Sequence, residues 1–540
     1  MSQIKKMRAA DYVAERLYEA GCRYAFGMPG GEVLTIVDAL EKAGIKFILC
    51  KHENNAGFMA EGVHHMTGAP GILVGTVGPG VLNCVNVVAN AHQDRVPLIV
   101  LTGCLDASEA LTYTHQVLDH EAVFKEITKK TFRLNAAGAD IIADKAVSVA
   151  TESRSGPVLI DVPISTADEL VELPRRRRAT STRMVPVIGD DFKSAQTSLA
   201  SSKQPIMIIG LDALKDEAGA SILRFVERHG IPFVTTYKAK GIISEDHPLS
   251  LGGAGLSPLA DKTLVPLVQS ADLILCVGYD PIEMRPGWRE IWNPNEVPVI
   301  DISAEENLHY MHQSSISIIG DVGDTLKLLS DGVTPQSTWV GDEISKAKAA
   351  LAEAFPTDDT WGPAAIIDEC RKQLPDDTIA TADSGAHRIL LSQMWNCPGA
   401  RHLLQSSGLC TMGCAVPLAM GVKIANPERP VISFSGDGGM LMVAGELSTT
   451  AETGANPIFL VFVDKSLALI ELKQRQRQLK NAAVDFGEHD FAALGRAFGG
   501  NGFTVNSREE LAKAIQHGLD SERFTVIAAV IDRGSYDGRI

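Results

Sequence analysis

The sequence predicts three doubly wound α/β domains built on mainly parallel sheets. Its 540 residues exceed what one ordinary hydrophobic core supports. Short β-branched apolar runs alternate repeatedly with helical patterns, which is typical of βαβ units. The alternation is interrupted twice, by a polar segment with Pro and Arg around residues 165–190 and by SDGVTPQST at residues 330–338. We therefore expect domains at residues 1–170, 190–335 and 355–540.

Each predicted domain repeats the same alternation. In the first, the strands and the helices between them are KFILCKH, AGFMAEGVHHM, GILVGTVG, VLNCVNVVANAHQ, PLIVLTG and GPVLIDVP. The second restarts at PIMIIGLDAL and continues through PFVTTY, ADLILCVGYD and VPVIDIS. A Lys- and Ala-rich helix at residues 343–354 leads into the third, whose strand candidates are TIATADSG, PVISFSGDGG, PIFLVFVD and TVIAAVID.

Composition excludes several classes of function. A net charge of −16 argues against nucleic acid or an anionic membrane as the main partner. The nine cysteines form no CxxC pair, which fits neither a zinc site nor a disulfide framework, so we expect reduced thiols in a cytoplasmic protein. No apolar run is long enough to span a bilayer, and no signal peptide is expected. The run Arg175–Arg178 is expected to be solvated linker or, alternatively, an anion or interface contact.

The most informative stretch is SGDGGMLMVAGELSTTAETGANPIFLVFVDKS, residues 435–466. A predicted strand runs into Gly436–Gly439 and then a helix, so backbone amides can face an anion. Asp437 lies in this turn, and Asp464 follows the next strand 27 residues later. Acids at the carboxyl ends of parallel strands point into one crevice, and two carboxylates with phosphate oxygens suit Mg²⁺. The spacing predicts a site for a Mg-bound diphosphate; the alternative is a Gly turn followed by an unrelated acid-capped turn.

A second informative stretch is KHENNAGFMAEG, residues 51–62. It places Glu53 just beyond a short apolar run, at the head of a helix rich in small residues. From the residues alone, Glu53 either takes part in chemistry or serves as a helix cap or structural ion pair.

These two stretches together resemble the thiamine-diphosphate-dependent enzyme family. Further segments resemble, in order, acetolactate synthases of the catabolic, flavin-independent type: YAFGMPGG, THQVLDHEAVFKEITK, CVGYDPIE, SGLCTMGCAVPLAMG and VDFGEHDFAALGRAFGG. The resemblance spans essentially the whole chain. It implies an N-terminal pyrimidine-binding domain, a central α/β domain and a C-terminal diphosphate-binding domain. It also implies that the cofactor lies between the first domain of one subunit and the third domain of its partner, so a homodimer is the minimum assembly and a homotetramer is expected.

The resemblance implies thiamine diphosphate and Mg²⁺ as cofactors and assigns residues to them. Glu53 would hydrogen-bond the aminopyrimidine ring, Met412 would support the bent cofactor and the Cys410 carbonyl would accept from its amino group. The other implied cofactor-binding residues are Ser384, Gly385, His387, Asp437, Gly438, Gly439, Asp464 and Ser466. The implied metal ligands are Asp437, Asp464 and the backbone oxygen of Ser466. The implied catalytic residues are Glu53, Gln116 and Lys129. Gln116 could bind a substrate carbonyl or the enamine intermediate, and Lys129 could bind a carboxylate; alternatively, Lys129 and its neighbour Lys130 are simply surface charges.

The implied activity is a decarboxylating carboligase that joins two 2-oxo acids, with pyruvate giving 2-acetolactate. A simple 2-oxo acid decarboxylase is the first alternative, but the pair His64–His65 lies inside the helix after Glu53, where a structural role is expected. A pyruvate oxidase would need FAD, which is not expected because IMIIGLDAL is followed by no GxGxxG fingerprint. A non-catalytic relative would have lost the glutamate or a metal carboxylate. Glu32 and the segment 467–478 differ from the catabolic pattern, which leaves the acceptor substrate open.

Overall fold

The computed structural model describes residues 6–179, 182–215 and 217–540. The described chain forms three six-stranded sheets, in which every strand pair is parallel, and one small antiparallel pair, Met7–Arg8 with Leu170–Val171. The predicted class, three α/β domains with parallel sheets, is confirmed. Residues 1–5 of the predicted first domain and 180–181 of the predicted linker lie outside the described residues. No helix in the described ranges is long and apolar enough to cross a bilayer.

The first sheet holds the Glu53 segment at the carboxyl end of an edge strand. Its strands, in spatial order, are Lys46–Leu49, Tyr24–Met28, Gly71–Gly75, Leu98–Cys104, Val158–Pro163 and Lys130–Arg133. The helices around it are Ala9–Glu19, Leu34–Ala43, Glu53–Thr67, Pro79–Asn83, Val85–Gln93, His120–Phe124, Ala139–Thr151 and Ile164–Asp168. The central strand Leu98–Cys104 is buried at every position, which explains its unbroken apolar pattern.

The central sheet has the strands, in spatial order, Ser250–Gly253, Phe233–Thr235, Pro205–Ile209, Leu273–Val277, Val299–Ser303 and Ile316–Ile319. Its helices are Asp190–Ser201, Leu211–Lys215, Gly219–His229, Pro258–Gln269 and Val322–Ser330, and Glu343–Ala354 packs against Pro258–Gln269. The spatial order of these strands is that of a doubly wound sheet, with the reversal between Pro205–Ile209 and Leu273–Val277.

The third sheet carries both predicted metal carboxylates. Its strands, in spatial order, are Leu403–Gln405, Ile379–Ala382, Val431–Gly436, Ile458–Val463, Thr525–Val530 and Asn501–Val505. Its helices are Pro363–Gln373, Ala386–Met394, Ala415–Ala425, Asp437–Val443, Glu446–Thr453, Ala468–Gln476, Phe491–Ala497 and Arg508–Asp520. Strands Val431–Gly436 and Ile458–Val463 are direct neighbours, with Gly436 opposite Phe462, so the residues that follow them emerge side by side.

The first and third domains of one chain pack through two helices, Glu53–Thr67 and Ala415–Ala425. Glycines bring the two backbones close: a Cβ on Gly421 would lie 2.0 Å from the Met59 carbonyl oxygen, and one on Gly62 would lie 2.4 Å from the Leu418 carbonyl oxygen. The helix that begins at Glu53 is therefore held directly against the third domain.

The arginine run of the first linker lies along the first domain. Each of its four exposed side chains pairs with an acid there: Arg175 with Glu15, Arg176 with Asp140, Arg177 with Glu19 and Arg178 with Glu152. Such exposed pairs each contribute little to stability, but together they direct the linker along one surface.

Candidate functional site

Two aspartates meet at the carboxyl edge of the third sheet, in a cavity of about 130 Å³. Asp437 follows strand Val431–Gly436, and Asp464 follows strand Ile458–Val463. Nine of the residues expected from the sequence line this cavity: Ser384, Gly385, His387, Met412, Asp437, Gly438, Gly439, Asp464 and Ser466. The structure therefore brings together most of the predicted cofactor-binding set in one place.

The two carboxylates are held by backbone amides and repel each other. Asp437 accepts from the amide of Gly438 at 2.8 Å and from that of Lys465 at 2.7 Å, and Asp464 accepts from the amide of Ser466 at 3.1 Å. Burial, and then the charge of Asp437, raises the pKa of Asp464 to about 7, and burial also raises the pKa of Asp437. A divalent cation between them would replace this repulsion by attraction.

The donor set fits a cation that also binds ligand oxygens. No group of three or more His, Cys, Asp or Glu side chains that could hold a metal exists in the described part of the chain. Two aspartates alone leave coordination positions open, which backbone, water and diphosphate oxygens can fill in an octahedral magnesium shell.

The walls of the same cavity suit a diphosphate. A Cβ on Gly439 would lie 1.9 Å from Asp383 Oδ2, and one on Gly438 would lie 2.8 Å from Phe486 Cζ, so only glycines leave room here. Burial lowers the pKa of His387 to about 3, which keeps its imidazole neutral. Its Nε2 is buried and has no hydrogen-bond partner in the described structure. This unfilled position is available to a hydrogen-bonding group of a ligand or to water.

Asp383 is a residue of this site that the sequence analysis missed. It follows strand Ile379–Ala382, and its buried carboxylate accepts from the amides of Ser384 and Gly413, each at 2.8 Å. Burial raises its pKa to about 6. Asp383 thus connects the turn at Ser384–Gly385 to the loop that carries Met412. The rule that pointed to Asp437, an acid directly after a parallel strand, applies equally to Asp383.

Met412 and Cys410 lie in that loop but differ in position. Met412 lines both the diphosphate cavity and an open cleft beside Asn83 and Asn55. Cys410 is exposed, has a φ of 52° and does not line the diphosphate cavity. Its Sγ donates to the Ser407 carbonyl at 3.1 Å.

Glu53 begins its helix but does not cap it. His52 is the N-cap residue, and its Nδ1 accepts from the Asn54 amide at 3.1 Å. The Glu53 side chain is only 4% exposed, and its Oε2 accepts from Asn83 Nδ2 at 2.9 Å. Within the described ranges Glu53 forms no ion pair. In the described chain, Glu53 therefore neither caps its helix nor forms an ion pair, the two structural roles that the sequence left open.

A glutamate of the third domain holds the start of this helix. Glu446 is fully buried, and its Oε1 accepts from the backbone amides of Lys51 at 2.9 Å and His52 at 3.0 Å, and from Asn55 Nδ2 at 3.2 Å. These otherwise unpaired donors lie at a helix start, where a carboxylate is favourable. Residues of the first and third domains of the same chain thus position Glu53.

Gln116 and Glu53 lie on either side of one glycine turn. A Cβ on Gly78 would lie 3.0 Å from Gln116 Cβ, and one on Gly80 would lie 3.0 Å from Glu53 Oε1. Gln116 itself has a φ of 58°, a conformation that non-glycine residues adopt mainly where the surrounding structure imposes it.

Lys129 is not brought to Glu53. It precedes strand Lys130–Arg133, at the amino edge of the first sheet, whereas Glu53 follows the carboxyl end of a parallel strand. Its Nζ approaches the carbonyls of Glu152 and Ser153 at 3.5 Å, and burial lowers its pKa.

The other residues singled out in the sequence have local partners. His64 and His65 lie in the last turn of the helix that Glu53 begins, and they contact the Ala69 carbonyl at 2.9 Å and Glu61 at 3.2 Å, respectively. Glu32 accepts from Thr76 Oγ1 at 2.8 Å. In one chain the candidate site is divided into two halves, since Glu53 does not line the cavity that contains Asp437.

Comparison with known proteins agrees with this division. Three family models match: the N-terminal TPP binding domain of thiamine pyrophosphate enzymes at residues 7–123, their central domain at 192–329 and their C-terminal TPP binding domain at 383–529. The two TPP binding domains contain the two halves of the candidate site.

Curated relatives match along nearly the whole chain. An acetolactate synthase of Bacillus subtilis is 30% identical, over 98% of this chain and 94% of its own length. A catabolic acetolactate synthase of Raoultella terrigena is 28% identical, over 97% and 95%. The large subunit of acetolactate synthase isozyme 1 of Escherichia coli is 28% identical, over 98% and 94%. The chain therefore belongs to the thiamine pyrophosphate enzyme family, with acetolactate synthases among its relatives.

Proposed function

We propose that this protein is a thiamine-diphosphate- and Mg²⁺-dependent carboligase that decarboxylates one 2-oxo acid and joins the remainder to a second, with pyruvate giving 2-acetolactate. The observation that carries the proposal is the pair of half-sites: two facing buried aspartates in the third domain, and a buried glutamate without cap or ion pair in the first. The relatives named acetolactate synthase support the choice of reaction.

Thiamine diphosphate, when bound, supplies a carbon nucleophile and a sink for the electrons released by decarboxylation. Glu53 contributes the proton chemistry. Asn83 donates to its Oε2, so Oε1 would be the atom that hydrogen-bonds the aminopyrimidine ring and holds or releases a proton there. Because the carboxylate is buried, this exchange is shielded from bulk water.

Asp437, Asp464 and the backbone oxygen of Ser466 would hold Mg²⁺ against the diphosphate. Glu471 supports this turn, since its buried carboxylate accepts from Ser466 Oγ at 2.5 Å and pairs with Arg533 at 2.8 Å. Glu471 belongs to the segment that differs from the catabolic pattern. Through its hydrogen bond with Ser466, Glu471 acts as a positioning residue for the turn at Asp464–Ser466.

The active assembly is a homodimer at minimum, and a homotetramer is expected. Glu53 and Asp437 lie in separate half-sites of one chain, so a second copy would complete each site. Large apolar side chains are exposed in the open cleft next to Asn83, which Leu82 of the first domain and Met442 of the third domain line. A second copy of this chain would cover them. We also place the protein in the cytoplasm, because all nine cysteines lie in the described ranges and are unpaired.

Product analysis tests the reaction. The purified chain is incubated with thiamine diphosphate, Mg²⁺ and pyruvate, and the products are identified by mass spectrometry. We expect carbon dioxide and 2-acetolactate in equal amounts. Acetaldehyde as the main product would instead show a simple decarboxylase, and acetate would show an oxidase. Absence of carbon dioxide release would contradict the enzyme assignment itself.

A further inference from the structure

Lys238 is a buried cation at the junction of the three domains. It lies in the turn Tyr237–Ala239, which follows a strand of the central sheet, and its side chain is 7% exposed. It lines a cavity of about 230 Å³ around Arg401, to which all three domains contribute residues. It lines neither the Asp437 cavity nor the cleft beside Asn83. Lys238 therefore acts on the candidate site through the residues that it contacts.

The ammonium group of Lys238 binds both the first and the third domain. Its Nζ donates to Asp94 Oδ2 at 2.9 Å and to the Gln405 carbonyl at 2.9 Å, and it lies 3.8 Å from Glu61 Oε1. The side chains of Asp94 and Glu61 are buried, at 0% and 2% exposure. Burial raises the pKa of Glu61, and the charge of Lys238 opposes that rise. One lysine thus compensates two carboxylates that would otherwise be costly to bury.

Asp94 connects this lysine to the loop at residues 406–411, which leads into Met412. Its Oδ2 accepts from the Ser407 amide at 3.0 Å, and its Oδ1 accepts from the Gly408 amide at 2.8 Å. A single carboxylate therefore accepts three hydrogen bonds, two from loop amides and one from the ammonium group. The loop and the lysine are held by the same side chain.

A second route runs from the lysine through Glu61, which lies on the helix that Glu53 begins. Its Oε2 accepts from Asn90 Nδ2 at 3.1 Å, and Asn90 Oδ1 accepts from Ser406 Oγ at 2.5 Å. Ser406 Oγ in turn accepts from the Thr411 amide at 3.1 Å, which closes the loop. One buried polar network thus joins the helix of Glu53 to this loop.

Two features indicate that the surroundings of the loop impose its conformation. Cys410 has a φ of 52°, which is uncommon for a residue other than glycine. A Cβ on Gly408 would lie 2.4 Å from Gln93 Cβ, so the loop backbone lies directly against the first domain. Such conformations persist only where neighbouring groups determine them, and the contacts from Asp94 and Asn90 do so here.

We propose that Lys238 is a positioning residue for thiamine diphosphate: by fixing Asp94, it holds the 406–411 loop in the conformation that binds the cofactor. This role rests on the proposed function and on the cofactor contacts expected of the Cys410 carbonyl and Met412. An ammonium group has three donors, so it can fix a carboxylate and a backbone carbonyl together. Its loss would leave buried carboxylates uncompensated, and the loop amides that they hold would shift with them.

Hydrogen–deuterium exchange measured by mass spectrometry tests the effect on the loop directly. The full chain is compared with Lys238→Gln in the absence of cofactor, and exchange is followed in peptides that cover the 406–411 loop. We expect exchange at least about tenfold faster in the variant, because the amides of Ser407 and Gly408 lose a fixed acceptor. Unchanged exchange in folded Lys238→Gln protein would overturn the proposal.

Lys240→Gln is the matched control. Lys240 is a buried lysine two residues away and pairs with Glu245, whose Oε2 accepts from the Cys397 amide at 2.8 Å. It therefore also connects the central domain to the third, but at a point outside the 406–411 loop. We expect both variants to have a lower midpoint of thermal unfolding and only Lys238→Gln to show faster loop exchange. Equal acceleration in both would indicate a general loss of stability and would overturn the specific role.

Calorimetric titration of thiamine diphosphate at saturating Mg²⁺ tests the consequence for the site. We expect a Kd for the cofactor at least about tenfold higher in Lys238→Gln, and within about twofold of the wild-type value in Lys240→Gln. Faster loop exchange with an unchanged Kd would contradict the positioning role alone. Failure of the wild type to bind the cofactor would instead contradict the proposed function, whatever the exchange of the loop.

A double variant keeps the proposal testable if Lys238→Gln does not fold. Lys238→Gln combined with Glu61→Gln removes the ammonium group but leaves the net charge of Lys238, Glu61 and Asp94 together unchanged. The substituted side chain at position 61 can still accept from Asn90. We expect faster loop exchange and a raised Kd for the cofactor here too, because Asp94 still lacks its ammonium partner. Wild-type values of both would overturn the proposal.

Discussion

Glu53→Gln is expected to reduce turnover of pyruvate by roughly 10²–10⁴-fold while the variant still binds thiamine diphosphate. Gln has nearly the same shape, so the contact from Asn83 can remain and the buried position stays filled. What is lost is the ability of Oε1 to exchange a proton with the pyrimidine nitrogen. Steady-state kinetics measures turnover, and calorimetric titration with the cofactor in the presence of Mg²⁺ measures binding.

A control for Glu53→Gln is available on the same domain. Glu41 is exposed, and its Oε1 accepts from the Phe47 amide at 2.6 Å. Glu41→Gln removes one negative charge and keeps the hydrogen bond, so its turnover should equal that of the wild type. Wild-type turnover in Glu53→Gln would remove Glu53 from the mechanism, whereas equal losses in both variants would point to a general effect of charge.

Asp437→Asn is expected to lower the affinity for Mg²⁺ and, with it, for thiamine diphosphate by at least about 100-fold. The change removes one of two carboxylates from a site in which no third acidic or imidazole ligand has been found among the described residues. Equilibrium dialysis with Mg²⁺, and cofactor titration at fixed Mg²⁺, measure the loss. Chelation of the metal from the wild type should release the cofactor in the same way.

The stability of the metal-free variant separates this loss from misfolding. Burial and then the charge of Asp437 raise the pKa of Asp464 to about 7, so removal of that charge lowers the pKa of Asp464 and relieves repulsion. A raised carboxyl pKa means that ionisation destabilises the fold as the pH rises through about 7. Metal-free Asp437→Asn should therefore have a midpoint of thermal unfolding at or above that of the metal-free wild type at pH 8. An undiminished cofactor affinity would contradict the assignment of Asp437 as a ligand.

The sequence predicted those parts of the molecule that local patterns encode. Runs such as IFLVFV are buried on both faces of a parallel sheet, so they are apolar throughout and easily recognised. The crevice at the carboxyl ends of such strands follows from topology, which is why the position of Asp437 beside Asp464 could be anticipated from spacing alone.

Contacts between distant parts of the chain could not be predicted in this way. Glu446 is separated from His52 by 394 residues, and the pattern around it indicates only a helix. The contact of Asn83 with Glu53 depends on how the turn before it folds back over the sheet. The cavity around Arg401 is lined by residues of three domains, whose relative arrangement leaves no periodic signal in the sequence. Lys129 shows a different limitation. It lies in a segment that resembles the family, yet the structure places it at the other edge of the sheet from Glu53.

The central claim is that Glu53 of one subunit and Asp437 of its partner serve the same cofactor. Mixed oligomers of Glu53→Gln and Asp437→Asn test it most directly, since each variant retains the half-site that the other has lost. The two inactive proteins are unfolded and refolded together, and turnover of pyruvate is measured against each variant refolded alone. We predict recovery of about a quarter of the wild-type turnover, because half of randomly paired dimers are hybrids and each hybrid has one intact site. No recovery in hybrids that form demonstrably would contradict a site shared between subunits.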